Sequence, residues 1–200
     1  MTHGTPAQTA TLTDLIATLQ TEAGLGKPRS LPPVHKWTPS NCGDIGLTIA
    51  RDGVWRQNGA PFTRDKLVRL FSTILRRDRD GHYLVTPHEK VIVRVEDAPF
   101  QAVRMDRAEV EGDPVLLFTT NVGDVVAAGP AHPLRVAVDP RTGEPAAYVE
   151  VRAGLEARLT RAVWHQLADA AEVDPGSARM TVRSRGLVFD LGSCLDVQDA

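Results

Sequence analysis

The pattern of apolar and polar positions predicts one strongly amphipathic helix in the first half of the chain. In the segment FTRDKLVRLFSTILRR, apolar residues recur every three or four positions, while the basic residues fall on the opposite side. This spacing predicts a helix with Thr63 as its N-cap and Arg64 as its first residue, and with Leu70 in the buried face. The same angular placement puts Arg76 and Arg77 on the exposed basic face.

Strands are predicted on both sides of this helix by period-two alternation. Residues 45–49 alternate apolar with smaller residues, and Asp52 and Gly53 then form a favoured hairpin turn. Further strand segments are HYLVT, KVIVRV, QAVRM, VLLFTT, DVVAA, LRVAV and AYVEV. The short connections between them leave little room for parallel crossovers, so we expect an α+β fold with mainly antiparallel sheets.

The helix segment recurs near the other end of the chain as LTRAVWHQLADAAEVDPGSARMTVR. A shift of 97 positions aligns Arg64 with Arg161 and Leu70 with Leu167 without a gap. Shared helix and strand periodicity is the alternative explanation of this match. The sequence predicts two repeated motifs, each with a hairpin, an inserted amphipathic helix and a second hairpin, and it predicts that Leu70 and Leu167 are both core residues.

The chain is expected to divide into three parts. In residues 1–30, the segment TLTDLIATLQTEAGLGKP has apolar residues at helical spacing and ends in glycines, which predicts a short docking helix and a linker. Residues 31–107 should form the first repeat, which begins with a proline-rich surface strap. Residues 108–200 should form the second repeat, packed on the first.

The two arginines that begin the helices are the most informative candidate residues. Their angular positions predict that Arg64 and Arg161 both point inward, where each cation lies against the positive end of its helix dipole and needs an anion nearby. That anion is either a carboxylate of the protein or the carboxylate or phosphate of a ligand. The candidate protein partners of Arg64 are Asp52, Glu89, Glu96 and Asp97.

Several apparent motifs fail on inspection. RDRDGHYLVTP places Asp78 and Asp80 at EF-hand spacing, but Arg76 and Pro87 stand where that loop requires carboxylates. GLGKP lacks the first glycine and the Ser or Thr of a phosphate-binding loop. The histidines lack a third ligand at a recognisable spacing. We therefore predict no metal and no cofactor.

Two polar segments remain as candidate pocket walls. In PHEKVIVRVED, alternation puts Lys90 on the wet face of a strand whose other face is apolar. In TTNVGDVV, Asn121 and Asp124 belong to a tight turn. Each segment is explained by a solvated strand face or a structural turn, and each also has the polar groups to contact a ligand.

Charge and composition narrow the class of protein. The chain has 200 residues, 23 basic and 25 acidic residues, and a formal net charge of -2, so no global field attracts nucleic acid or an anionic membrane. No apolar run is long enough to span a membrane. Cys42 and Cys194 are far apart and belong to no CxxC motif. We expect a cytoplasmic protein with no nucleic-acid or membrane partner, whose oligomeric state the sequence leaves open.

Several segments together resemble the bacterial family of domain of unknown function 1285. They are CGDIGLTIARDGVWRQNGAPFTR, LVRLFSTILRRDRDGHYLVTPHEKV, VEDAPF, TNVGDVVAAGP, HPLR and GLEARLTRAVW, and the resemblance covers about residues 31–191. It implies an α+β fold with two repeated motifs and a suggested role in signal transduction. It implies no established activity, substrate or catalytic residue. Phe62 departs from the expected isoleucine.

The leading hypothesis is a regulatory module that binds a small anionic ligand between its two repeats. Arg64 or Arg161 would supply the positive charge, and Lys90, Asn121 and Asp124 would supply further polar contacts.

Two alternatives remain. In the first, the protein is an interaction module without a small ligand, and the basic helix face or the strap near Trp37 binds a partner protein. In the second, His88 and Glu89 serve an unrecognised hydrolase, although the chain has no nucleophile motif such as GxSxG.

Overall fold

The computed structural model describes residues 31–139 and 141–193, and it divides the chain into two compact units between Glu96 and Asp97. The predicted N-terminal docking helix falls in residues 1–30, outside the described residues. The expected repeat boundary at 107/108 falls inside a strand of the second unit, Phe100–Val110.

The first unit is a six-stranded sheet with one α-helix. A 3-10 turn, Val34–Lys36, precedes the sheet. The strands are β1 (Asn41–Ile49), β2 (Trp55–Gln57), β3 (Ala60–Pro61), β4 (Leu75–Asp78), β5 (Gly81–Val85) and β6 (Glu89–Val95). Helix α1 (Asp65–Ile74) lies between β3 and β4 in the chain. The strand order is β3-β2-β1-β6-β5-β4.

The second unit has a six-stranded sheet, one α-helix and a three-stranded sheet. The strands of the first sheet are β7 (Phe100–Val110), β8 (Asp113–Thr120), β9 (Val125–Ala127), β10 (Leu134–Val138), β11 (Pro145–Arg152) and β12 (Leu155–Leu159), in the order β10-β11-β12-β7-β8-β9. Helix α2 (Arg161–Asp169) follows. The second sheet contains β13 (Glu172–Val173), β14 (Arg179–Ser184) and β15 (Leu187–Ser193).

Both six-stranded sheets are antiparallel except for one parallel pair each. Strand β6 pairs in parallel with β1, and β12 pairs in parallel with β7. The expectation that short connections leave little room for parallel crossovers was therefore wrong at these two places. Each crossover contains several strands, and that of the first unit also contains α1, so each is long enough for a parallel return. The mainly antiparallel α+β fold is confirmed.

The repeat is confirmed for the helix and the three strands that follow it. Elements α1-β4-β5-β6 correspond to α2-β13-β14-β15 at nearly the same shift of 97 residues. The pairing is equivalent as well, since Leu75 opposite Leu84 in the first unit matches Glu172 opposite Thr181 in the second. The copies then differ, because β6 joins the large sheet through β1 while β13, β14 and β15 form a sheet of their own.

The core of the first unit lies between α1 and one face of its sheet. Phe71 and Ile74 of the helix are fully buried, as are Leu47 and Ile49 of β1. The ring centroids of Phe71 and Trp55 are 6.2 Å apart. The predicted alternation in β6 is also present: Val91 and Val93 are buried.

The helix prediction needs three corrections. Arg64 is the N-cap of α1 rather than its first residue, and the helix ends at Ile74, so Arg76 and Arg77 belong to β4 instead of a basic helix face. Leu70 is only half-buried, whereas Leu167 in α2 is fully buried. The spacing of residues along a helix predicts which side of the helix each one faces. It does not show how much of that side the neighbouring strands cover.

In the part of the chain that the structure describes, neither α-helix is long or apolar enough to cross a bilayer.

The burial difference between the two aligned leucines predicts unequal costs of truncation. Leu167→Ala should lower the free energy of unfolding by about 2 to 5 kcal/mol, because a fully buried side chain leaves a cavity. Leu70→Ala should cost less than Leu167→Ala, because part of its surface is already in water. Urea denaturation of both variants measures this. A larger loss for Leu70→Ala would contradict the packing described here.

Candidate functional site

Arg64 and Arg161 lie at the starts of the two α-helices, and both side chains are exposed. The prediction that both point inward is therefore wrong. Arg64 precedes the first helical residue and Arg161 is that residue, so the equivalence holds to within one position. Neither helix has a side-chain cap, and α2 has no acidic residue in its first turn, whereas α1 begins with Asp65.

Two of the candidate carboxylate partners of Arg64 accept backbone hydrogen bonds elsewhere. Asp52 accepts the N–H of Val54 at 3.0 Å, and Glu96 accepts the N–H of Arg51 at 3.0 Å. No described residue forms an ion pair with Arg64. Within residues 31–139 and 141–193, Arg64 therefore does not form the structural salt bridge that was the simpler explanation from the sequence.

The position of Arg161 is determined by the point at which β12 ends. The N–H of Thr160, the N-cap of α2, donates to the carbonyl of Ala102 at 3.1 Å. The side-chain neighbour of Arg161 is His165, one turn later, with 3.5 Å between the Arg161 Nε and His165 Nε2 atoms. Among the described residues, no carboxylate lies within ion-pair distance of Arg161.

Lys90 already has partners inside the first unit. Its Nζ atom lies 4.1 Å from the ring centroid of Tyr83 and 3.8 Å from Asp78 Oδ2. Asp78 also accepts two hydrogen bonds from Arg76, at 2.7 and 2.9 Å. The bonds from Arg76 and, more weakly, the charge of Lys90 lower the pKa of the Asp78 carboxyl. These contacts fix Lys90 in a local charge cluster.

The strap before β1 is bound to the same cluster. The Nη1 atom of Arg76 donates to the carbonyls of Val34 and Trp37, at 2.9 and 2.7 Å. The guanidinium thus joins the 3-10 turn to β4. Trp37 is half-buried against this unit.

Asn121 and Asp124 share the turn between β8 and β9, where both side chains accept hydrogen bonds. Asn121 Oδ1 accepts the N–H of Gln101 at 3.0 Å. Asp124 Oδ2 accepts Nη1 of Arg152 at 2.6 Å, and the Arg152 guanidinium lies 4.9 Å from the ring centroid of Phe100. Asn121 directly, and Asp124 through Arg152, therefore stabilise the start of β7.

Three of the five predicted site residues lie near one row of the second unit. Leu159, the last residue of β12, pairs with Ala102, and Ala102 pairs with Thr120, the last residue of β8. Because β12 runs parallel to β7 and β8 runs antiparallel to it, Arg161 and Asn121 leave this row in opposite directions. Arg64 and Lys90 belong to the first unit.

Sequence reasoning missed a buried ionic network in the second unit. Arg158 donates to Asp97 at 2.6 Å and lies 3.0 Å from Asp139, whose side chain is 1% exposed. The hydroxyl of Tyr148 donates to the other oxygen of Asp97 at 3.0 Å. Burial, followed by this hydrogen bond, raises the pKa of Tyr148. One guanidinium thus joins the beginning of the unit to the loop after β10.

This network lies along one row of the sheet. Arg135, Tyr148 and Arg158 stand opposite one another on β10, β11 and β12. The Arg135 guanidinium lies 4.2 Å from the Tyr148 ring centroid and makes two 2.6 Å hydrogen bonds to Glu156. The segments HPLR and GLEARLTRAVW contain these arginines, but nothing in their spacing reveals which strands become neighbours.

The pair in the hydrolase hypothesis lies at the end of the turn between β5 and β6. The backbone N–H groups of His88 and Glu89 donate to Thr86 Oγ1 at 3.3 and 3.1 Å. Within residues 31–139 and 141–193, no group of three His, Cys, Asp or Glu side chains is arranged to hold a metal ion.

Family models match nearly all of the described chain. Residues 32–98 match "Domain of unknown function (DUF1285), N-terminal domain", and residues 99–191 match "Protein of unknown function (DUF1285), C-terminal domain". The chain belongs to the DUF1285 family. The junction of the two models lies two residues after the division between the compact units.

A solved structure of the same family is similar to most of this chain. A DUF1285 family protein from Silicibacter pomeroyi DSS-3 is 46% identical, with a TM-score of 0.79 over 90% of this chain and 97% of that chain. A DUF1285 family protein from Shewanella baltica OS155 is 27% identical, with a TM-score of 0.49 over 62% of this chain and 91% of that chain. The comparison with curated proteins gave no match. The chain is thus a two-domain member of an uncharacterised family.

The buried network predicts a large effect for one arginine. Arg158→Met should lower the free energy of unfolding by about 3 to 5 kcal/mol, because the buried Asp139 and the partly buried Asp97 would lose the cation between them. The matched control is Arg104→Met, which removes an exposed ion pair to Asp106 and should cost less than about 1 kcal/mol. Chemical denaturation of both variants tests this, and equal costs would contradict a structural role of the network.

A second prediction concerns pH. Burial, with a smaller contribution from the neighbouring Arg77, lowers the pKa of His82 below its ordinary 6.5. Below that pH the unfolded chain binds more protons, so stability should fall as the pH drops from about 6.5 towards the lowered pKa, by at most about 1.4 kcal/mol per pH unit. His82→Phe should weaken this dependence in urea unfolding at about pH 7.5 and 5.5, with His88→Phe as the control for an exposed histidine. An unchanged dependence in His82→Phe would refute it.

Proposed function

We propose that this protein is a regulatory module that binds a small anionic ligand, with Arg161 and Arg64 as its cationic contacts. The observation that carries the proposal is the start of α2. There an exposed guanidinium stands at a helix N-terminus with no side-chain cap and no acidic residue in its first turn. The free N–H groups and the helix dipole add to its positive charge, and such an end favours a phosphate or a carboxylate.

The choice of Arg161 and Arg64 as the ligand contacts is supported by the ion pairs of most arginines on the sheets. Carboxylate partners neutralise most of the arginines that lie on the sheets. These paired residues are Arg76, Arg94, Arg104, Arg135, Arg152, Arg158, Arg179 and Arg183. Arg161 and Arg64 have no such partner among the described residues, so their charge remains available to a ligand.

The other three predicted contacts take a different role in the proposal. Lys90, Asn121 and Asp124 are engaged within their own units, so they shape the surroundings rather than bind the anion directly. The idea that the ligand lies between the repeats stays a prediction from the sequence. The same applies to a role in signal transduction, which the family resemblance implies, and to a cytoplasmic location.

A second candidate is an interaction module for an acidic protein partner. Arg64, Lys66 and Arg69 are all exposed at or on α1. Residues 31–96 contain eleven Lys and Arg and seven Asp and Glu, a net formal charge of +4, whereas residues 97–193 contain ten and fourteen, a net of −4. A basic first unit favours an acidic surface as its partner.

The ligand proposal predicts an anion-dependent gain in thermal stability. We expect at least one member of a panel of inorganic phosphate, pyrophosphate, nucleotides, sugar phosphates and dicarboxylates to raise the Tm of the full chain. A ligand at 100 times its Kd stabilises by about 2.7 kcal/mol. Arg161→Met should abolish the shift and Arg64→Met should reduce it. Both variants should remain folded, because both side chains are exposed and neither forms an ion pair with a described residue.

Arg69→Met is the matched control, since it removes an exposed arginine from the body of α1 and should leave the shift intact. A wild-type chain that responds to no compound, or an Arg161→Met variant that responds fully, would refute the ligand proposal. If the chain instead bound an acidic polypeptide through Arg64, Lys66 and Arg69, the interaction module would replace the ligand proposal.

A further inference from the structure

Strand β7 has a free edge over most of its length. It pairs with β8 as far as Val110 opposite Asp113, but it pairs with β12 only at residues 100–102. Beyond Ala102 the chain of β12 turns away into α2. In the described part of the chain, no strand pairs with residues 103–110 on the side away from β8. A free edge of this kind offers unpaired backbone groups to another strand.

The backbone groups of Arg107 and Glu109 face this free edge. Leu116, opposite Arg107, directs its N–H to Ser184 Oγ at 3.0 Å and its carbonyl to the N–H of Ala128 at 2.9 Å, both away from β7. In an antiparallel ladder, the opposite residue then also directs its groups outward. The carbonyl of Pro114, opposite Glu109, likewise accepts the N–H of Arg185.

A cleft of about 460 Å³ borders the same stretch. Arg107, Ala108 and Glu109 all line it. Residues of β8 and of the three-stranded sheet also line it, so the cleft lies between the β7–β8 hairpin and that sheet; they include Pro114, Val115, Leu116, Glu172, Val182 and Arg183. The free edge is therefore identified by the strand pairing and by the hydrogen-bond directions, and helix α2 also contacts β7.

The charges on this edge are available and of opposite sign. Neither Arg107 nor Glu109 forms an ion pair with any described residue, and both are exposed. A partner strand must therefore offer an acidic residue opposite Arg107 and a basic residue opposite Glu109. The sequence Arg-Ala-Glu offers that pattern when it is read in the opposite direction against itself.

A two-fold axis through Ala108 meets every requirement of an antiparallel pair. It places Arg107 of each copy opposite Glu109 of the other, with Ala108 opposite its own equivalent. Arg107 and Glu109 are both outward-facing, so the two pairs would exchange about four backbone hydrogen bonds in all. An axis at Arg107 or at Asp106 would instead oppose like charges.

We infer that the free edge of β7 is a homodimer interface, in which a second copy of this chain extends the six-stranded sheet by antiparallel pairing around Ala108. The opposite charges of Arg107 and Glu109 select this register and disfavour others. The interface is independent of the anion site, since neither Arg161 nor Arg64 takes part in it.

The decisive experiment exchanges the charges. Sedimentation velocity of the full chain over a concentration series should show a reversible dimer. Arg107→Glu and Glu109→Arg should each weaken it at least about tenfold, because each variant opposes like charges twice. The double variant R107E/E109R should restore the dimer. An equimolar mixture of the two single variants should also restore it as a heterodimer, since both charge pairs re-form between unlike copies.

A cross-link tests the register. In a background with Cys42→Ser and Cys194→Ser, Ala108→Cys should form an intermolecular disulfide under mild oxidation, because the two Ala108 positions form a non-hydrogen-bonded pair about the axis. Val110→Cys, which faces Asp106 in this register, should not. A monomer at all concentrations, failure of the mixed variants to associate, or equal cross-linking at both positions would overturn the inference. Failure of both restorations would point to an extended peptide of another protein as the occupant.

Discussion

The short parallel pairing of β12 with β7 is the constraint on which the second unit depends. Only three residue pairs join these strands, and the ladder ends where Thr160 donates to Ala102. The chain must then leave the sheet, and it does so as α2, which begins with Arg161. The same departure leaves the rest of β7 without a neighbour on that side. One register thus determines both the exposed helix terminus and the open strand edge.

Local structure was predictable because its causes are local. The spacing of apolar residues located α1 and α2, and alternation identified the dry face of β6, where Val91 and Val93 are buried. The order of the strands was not predictable in this way. Both parallel pairs and the row formed by Arg135, Tyr148 and Arg158 depend on which strands become neighbours over long sequence separations. A single sequence shows the alternation of residues within a strand, but it does not show which other strands pair with that strand.

In the candidate site, too, local features were predictable from the sequence and long-range contacts were not. The sequence identified Arg64 and Arg161 as cations at helix starts, and both are there. The inward direction of Arg64 was wrong because an N-cap residue lies outside the helical wheel, and that of Arg161 was wrong because a position on the wheel does not show what covers it. Two of the four carboxylates proposed for Arg64 were already engaged, since Asp52 and Glu96 accept hydrogen bonds from backbone N–H groups. The local hydrogen bonds of a titratable residue must therefore be known before that residue can be assigned to a partner or a ligand.

The two copies of the repeat show how one local motif serves two assemblies. The helix and first hairpin retain the same register in both. In the first unit the third strand, β6, pairs with β1 and completes a large sheet, whereas in the second β15 has no such partner and β12 instead pairs with the start of β7. The equivalent of the strand that completes the large sheet in the first copy thus lies in a separate three-stranded sheet in the second. Since β12 pairs with only the first three residues of β7, the second unit is the one that has an unpaired strand edge with alternating charges and is therefore suited to association.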